Sequence, residues 1–110
     1  MITWKDFEQV DIRVGTVVRV ENFPEARKPA YKLEINFGPE IGTKKSSAQI
    51  TDLYKISDIL GKQVIAVVNF PPKQIGPYIS ECLVMGIYNE NNQVILLQPE
   101  QAAPNGAKIG

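Results

Sequence analysis

A chain of 110 residues and 12.2 kDa has room for one core and one domain, residues 1–110, which removes roughly two-thirds of its unfolded surface on folding. Twelve Lys and Arg balance twelve Asp and Glu, which excludes holding a polyanion by bulk charge. The absence of histidine and the single cysteine, Cys82, remove the commonest general base and any thiolate metal site.

Lys5, Asp6 and Glu8 interrupt the N-terminus where a signal peptide needs an apolar run, and no later segment approaches the roughly 18 uncharged apolar residues of a membrane span. The reading is a cytoplasmic protein with no membrane insertion and a buried, unpaired thiol at Cys82. Thr3 and Asp6 form a weakened capping box for a short helix carrying Trp4, Phe7 and Val10 at helical spacing. From Asp11 to Phe23 the pattern alternates, with Ile12, Val14, Val18 and Val20 on one face and Arg13, Arg19 and Glu21 on the other, and Gly15 suggests a bulge or bend.

After the loop bracketed by Pro24 and Pro29, Tyr31, Leu33, Ile35 and Phe37 alternate strictly with polar residues as a second strand. A more polar third strand runs from Lys44 to Ile50. Leu53, Ile56, Ile59 and Leu60 recur at three- and four-residue spacing and Gly61 closes a helix, with Ser57 and Asp58 facing outward. Val64 to Val68 is β-branched and reads as a strand buried on both faces. Lys73 to Pro77 reads as a loop, Tyr78 to Tyr88 as a further strand, and Asn89 to Asn92 as a turn before a short strand from Val94 to Leu97. The tail, with Pro99, Pro104 and Gly106, reads as extended.

This order predicts an all-β, five-stranded OB-fold Greek-key barrel with a short N-terminal helix, a helix between strands 3 and 4, and an extra C-terminal strand. An SH3-like barrel is the alternative, and it usually lacks that helix. Ser46 and Ser47 have no histidine or suitably spaced lysine to activate them, so they read as edge-strand hydroxyls facing solvent. No phosphate cradle or metal spacing exists. No enzyme activity, cofactor or metal is expected. The segment Phe70, Pro71, Pro72, Ile75, Tyr78 and Ile79 beside Lys73 either folds inward or presents an apolar surface patch.

The stretches Asp11–Val17, Ser46–Thr51 and Val64–Gly86, with the ending Pro104-Asn105-Gly106, resemble the bacterial and archaeal CsaA family, described as export-related chaperones. That family is similar to the tRNA-binding OB domain of bacterial methionyl-tRNA synthetases and of the phenylalanyl-tRNA synthetase beta subunit. Their signature of Asn, Pro, a basic residue, Gly and Ser-Glu-Gly-Met looks like Asn69, Pro71 or Pro72, Lys73, Gly76 and Ser80-Glu81 here, with Cys82 and Leu83 departing from it.

The resemblance implies a non-enzymatic protein that binds unfolded or precursor polypeptides in a pocket lined by Phe70, Pro71, Ile75 and Tyr78 and rimmed by Lys44, Lys45 and Lys73. The alternative is binding of tRNA or structured RNA on the same barrel face, with Ser46, Ser47, Gln49, Asn69, Ser80 and Glu81 contributing polar contacts. It also implies a homodimer. The apolar stripe of Trp4, Phe7 and Val10 would then meet a C-terminal segment bearing Ile95, Leu97 and Ile109.

Overall fold

Thr3 opens the first helix, α1 (Trp4–Glu8), through reciprocal bonds: its hydroxyl accepts from the Asp6 N–H at 3.2 Å, and the Asp6 carboxylate accepts from the Thr3 N–H at 2.9 Å. The computed structural model describes residues 1–110. After α1 come β1 (Ile12–Asn22), β2 (Tyr31–Asn36), β3 (Thr43–Ala48), α2 (Ile56–Ile59) and β4 (Gln63–Val67). The chain then forms a hairpin of β5 (Lys73–Ile75) and β6 (Tyr78–Ser80), the two-residue β7 (Leu83–Val84), and a hairpin of β8 (Gly86–Tyr88) and β9 (Val94–Leu96). Antiparallel strands in the order β3-β2-β1-β4-β7 curl into a nearly closed barrel, as expected for an OB-fold.

Strand β1 serves two neighbours. Its first half, Ile12 to Thr16, pairs with β4, and its second half, Thr16 to Asn22, pairs with β2. The register slips between Val17 and Arg19, so the bulge lies at Val18 and not at Gly15. Gly15 instead allows close packing: a Cβ there would sit 2.6 Å from Ile35 Cγ2 and 2.7 Å from the Phe37 ring.

The bulge also corrects the expected faces of β1. Val17 points into the barrel with Leu33, Ile35, Phe37, Val64 and Ala66, whereas Ile12 and Val14 join Ile65 and Val67 in a second core on the outside. Val18 is exposed. Strand β4 is therefore buried on both faces, as its composition predicts, because Phe7 and Val10 of the N-terminal segment and Leu97, Ala107 and Ile109 of the C-terminal segment cover its outer side.

The tail is extended but not free. Ala107 accepts from the Val14 N–H, and the N–H groups of Gly106 and Ile109 donate back to Val14 and Ile12 at 2.7 and 2.9 Å. Asn105 Oδ1 accepts from the Thr16 hydroxyl at 2.8 Å and from the Gln63 amide at 3.3 Å. Gly106 adopts φ +89°, and a Cβ there would collide with the Phe37 carbonyl. The Pro-Asn-Gly ending thus works as a clamp against the barrel.

Four further expectations are corrected. The second helix spans only four residues, with Ile59 buried and Leu53 and Leu60 exposed, although Gly61 terminates it at φ +84°. The stretch from Tyr78 to Tyr88 is not one strand, because β6, β7 and β8 each pair with a different partner, and Lys73 to Pro77 is half of a hairpin and not a loop. Ser46 does not face solvent: it points into the barrel, 1% exposed, and its hydroxyl donates to the Cys82 carbonyl at 2.9 Å. No helix is long and apolar enough to cross a membrane.

Candidate functional site

The barrel closes where β3 meets the segment from β6 to β7, and here side chains stand in for strand pairing. The Lys45 N–H donates to Glu81 Oε1 at 2.9 Å, the Ser47 N–H donates to Ser80 Oγ at 3.1 Å, and the Glu81 N–H returns a bond to the Lys45 carbonyl at 2.7 Å. A strand edge that would otherwise be open is partly sealed in this way.

Beyond that seam lies a cavity of about 700 Å³, within the size range of small-ligand pockets. Ala48, Gln49 and Ile50 form one wall, Ile75 and Ser80 of the β5–β6 hairpin another, and Leu83, Val84, Met85, Tyr88 and Val94 the far side. Lys28 and Lys73 supply positive charge at this lining and Asp52 a single negative charge. No three histidine, cysteine or carboxylate side chains converge as a metal site would require.

Of the residues singled out in the sequence, Ser47, Gln49, Lys73, Ile75 and Ser80 line this cavity. Cys82 also lines it, and burial pushes its thiol up to about 11. Lys44, Lys45, Asn69, Phe70, Pro71, Tyr78 and Glu81 do not line it. Asn69 is held elsewhere, accepting from the Asp11 N–H at 2.9 Å and donating to the Gln9 carbonyl at 2.8 Å, which ties the end of β4 to the start of β1. Phe70 stands half exposed to solvent. Lys28, Asp52, Met85 and Tyr88 line the cavity without any advance signal, because they come from separate turns and short strands that only the folded chain brings together.

Tyr78 anchors a second cluster on the outer face of β2 and β3. Its hydroxyl donates to the Leu33 carbonyl at 2.9 Å, its ring meets Phe23 edge to face, and the ammonium groups of Lys32 and Lys45 lie 5.8 and 5.4 Å from the ring centroid. Burial, followed by the charges of Glu34 and Glu21, pushes its phenol up to about 12. Positive charge on this face is largely matched. Arg19 pairs with Glu21 and Glu34, and Lys32 pairs with Glu21 at 3.8 Å.

Of the residues predicted to form a subunit contact, Phe7, Val10, Leu97 and Ile109 pack within this chain, while Trp4 and Ile95 remain exposed. A shallow recess of about 640 Å³ lies between Ile2, Thr3, Trp4, Phe7 and Gly110.

Residues 12–108 match the family model of the putative tRNA-binding domain. The fold superposes on the chaperone CsaA of Picrophilus torridus with a TM-score of 0.94 and 55% identity, covering 100% of both chains. The chaperone CsaA of Bacillus anthracis gives 0.93 and 52%, covering 100% of this chain and 99% of that one. This chain belongs to the CsaA family, within the putative tRNA-binding domains.

Sequence similarity to this CsaA family member also occurs within larger proteins. The methionine–tRNA ligase of Flavobacterium johnsoniae is 28% identical over 109 residues, 99% of this chain, but the match spans only 15% of the ligase. In this CsaA family member the seam residues Ser80 and Glu81 take part in closing the barrel, and Cys82 and Leu83, which replace the Gly-Met of the tRNA-binding signature, both line the cavity.

Proposed function

We propose that this protein is a non-enzymatic chaperone of the cytoplasm that binds unfolded or precursor polypeptides in the cavity beside β3. The observation that carries this reading is the lining itself: aliphatic side chains such as Ile50, Ile75, Leu83, Val84 and Val94 stand among about as many polar ones, with only two lysines and one aspartate charged. Apolar walls suit side chains exposed by an unfolded chain, and few fixed charges leave sequence selectivity low. The names carried by the two CsaA structures support a chaperone role.

Binding of tRNA is the second reading, supported by the family model and by Lys32 and Lys45 around Tyr78. Glu21, paired with Lys32, and Glu34, paired with Arg19 on the same face, weaken the case, because phosphate affinity depends on unmatched positive charge. Titrating one unfolded precursor peptide and one tRNA at low and physiological salt separates the two. Peptide affinity is expected to change little, whereas a tRNA complex loses roughly tenfold or more when several phosphate contacts are screened. Tight, salt-sensitive tRNA binding with no peptide binding overturns the chaperone reading.

The same proposal includes a homodimer. Trp4, 83% exposed, and Ile2, 77% exposed, leave an apolar patch beside the recess at α1.

A further inference from the structure

We infer that a bound polypeptide is held as an added β-strand along the continuation of β3, through its own main chain, at Gln49. This deepens the polypeptide-binding reading and rests on it. Strand β3 uses one edge to pair with β2, from Thr43 opposite Asn36 to Ala48 opposite Tyr31. In an antiparallel strand alternate residues direct both backbone groups to the same side. Lys45 and Ser47 turn theirs away from β2, where Glu81 Oε1 and Ser80 Oγ accept from their N–H groups.

Gln49 is the next residue in that alternation, and it lies beyond the reach of the β6 seam. It is exposed, it lines the cavity, and its N–H donates to no acceptor within the chain; the same holds for the N–H groups of Ile50 and Thr51. An open edge next to a cavity with apolar patches is the arrangement that strand addition uses: main-chain bonds supply affinity and every second side chain of the guest enters the pocket. Ile75, Val84 and Val94 line that pocket. With Lys28 and Lys73 against Asp52 at the lining, the preferred occupant is an extended segment with apolar residues at alternate positions and acidic residues beside them.

This mode accounts for binding that is tolerant of sequence, since every polypeptide carries the same backbone. It also fixes register, because a slip of one residue would turn the guest's apolar side chains away from the cavity.

The test uses the full chain and a fluorescent peptide of alternating leucine and serine with glutamates at one end. Two derivatives carry N-methyl groups on alternate residues, one in each frame. The frame whose N–H groups face β3 is expected to bind roughly fivefold or more weakly, and the other frame within about twofold of the parent. Gln49→Pro, which removes the backbone donor and also fixes φ, is expected to lose binding similarly, while Gln49→Ala, which keeps the donor, is expected to lose less. If Gln49→Pro fails to fold, the pair of methylated frames decides the matter alone. Equal binding by both frames overturns strand addition and leaves polypeptide binding standing. Absence of peptide binding, or tRNA bound at this cavity in its place, overturns both.

Discussion

Cys82 sits where the barrel closes, and its thiol is kept neutral by burial at about 11, above its ordinary 9.0. Tyr78, beside the same seam, is pushed from 10.0 to about 12 by burial and by Glu34. A group whose pKa rises on folding contributes fully below its unfolded value and loses that contribution as pH climbs through the folded one. The urea midpoint is therefore expected to be flat up to about pH 9 and to fall from there toward about pH 12, with Cys82→Ala removing the earlier part of the decline. A midpoint that rises above pH 9 would contradict this assignment. At Gly15 the constraint is steric and not electrostatic, since Ile35 and Phe37 are both about 1% exposed or less and lie within 2.8 Å of any added Cβ. Gly15→Ala is expected to cost about 1–3 kcal/mol in denaturant unfolding, as overpacking of a closed core does.

Among the elements, the C-terminal clamp carries the outer core. Asn105 is the shared acceptor of Thr16 and Gln63, and Asn105→Ala leaves both donors without it, at a cost of about 1–3 kcal/mol. Hydrogen exchange is the discriminating measurement: the amides of Val14, Gly106 and Ile109, bonded across the clamp, should exchange faster than those of β2. Uniform acceleration everywhere would mean that Asn105 supports the whole barrel and not the clamp. The strands that alternate most cleanly were legible in the sequence for a physical reason: β2 has core on one face and water on the other, so Leu33, Ile35 and Phe37 fall two apart. The double burial of β4 was equally legible from its β-branched run. The face of β1 was not, because a bulge at Val18 resets the alternation and no residue type announces it. Likewise Ser46 gives no sequence sign of burial, since its interior place depends on the Cys82 carbonyl 36 positions away. The cavity was half legible: Ser47, Gln49, Lys73, Ile75 and Ser80 stood out by motif, while Met85 and Tyr88 reach it only through the short strands after Cys82.

On the scale of the whole molecule, two cores share β1 and β4, and the outer one is sealed by both ends of the chain. That arrangement decides which apolar residues are left for a partner. Phe7 turns inward beside Val10 and Ile109, whereas Trp4, one turn earlier on the capped helix, stays exposed at the recess that both residues line. Ile87, Tyr88 and Ile95 add a second exposed apolar surface on the β8–β9 hairpin. A stable pair typically buries about 1,600 Å² in total, more than the Trp4 recess alone supplies. The dimer is therefore expected to use α1 together with other exposed surface. Light scattering should give twice 12.2 kDa for the wild-type chain. Trp4→Ala is expected to shift the equilibrium toward monomer by about 2 kcal/mol, the usual effect of removing a central aromatic anchor, with little change in the urea midpoint of the monomeric form. Phe7→Ala, in contrast, should lower that midpoint by opening the outer core. A wild-type chain that stays monomeric at micromolar concentration would assign the exposure of Trp4 to something other than a second copy.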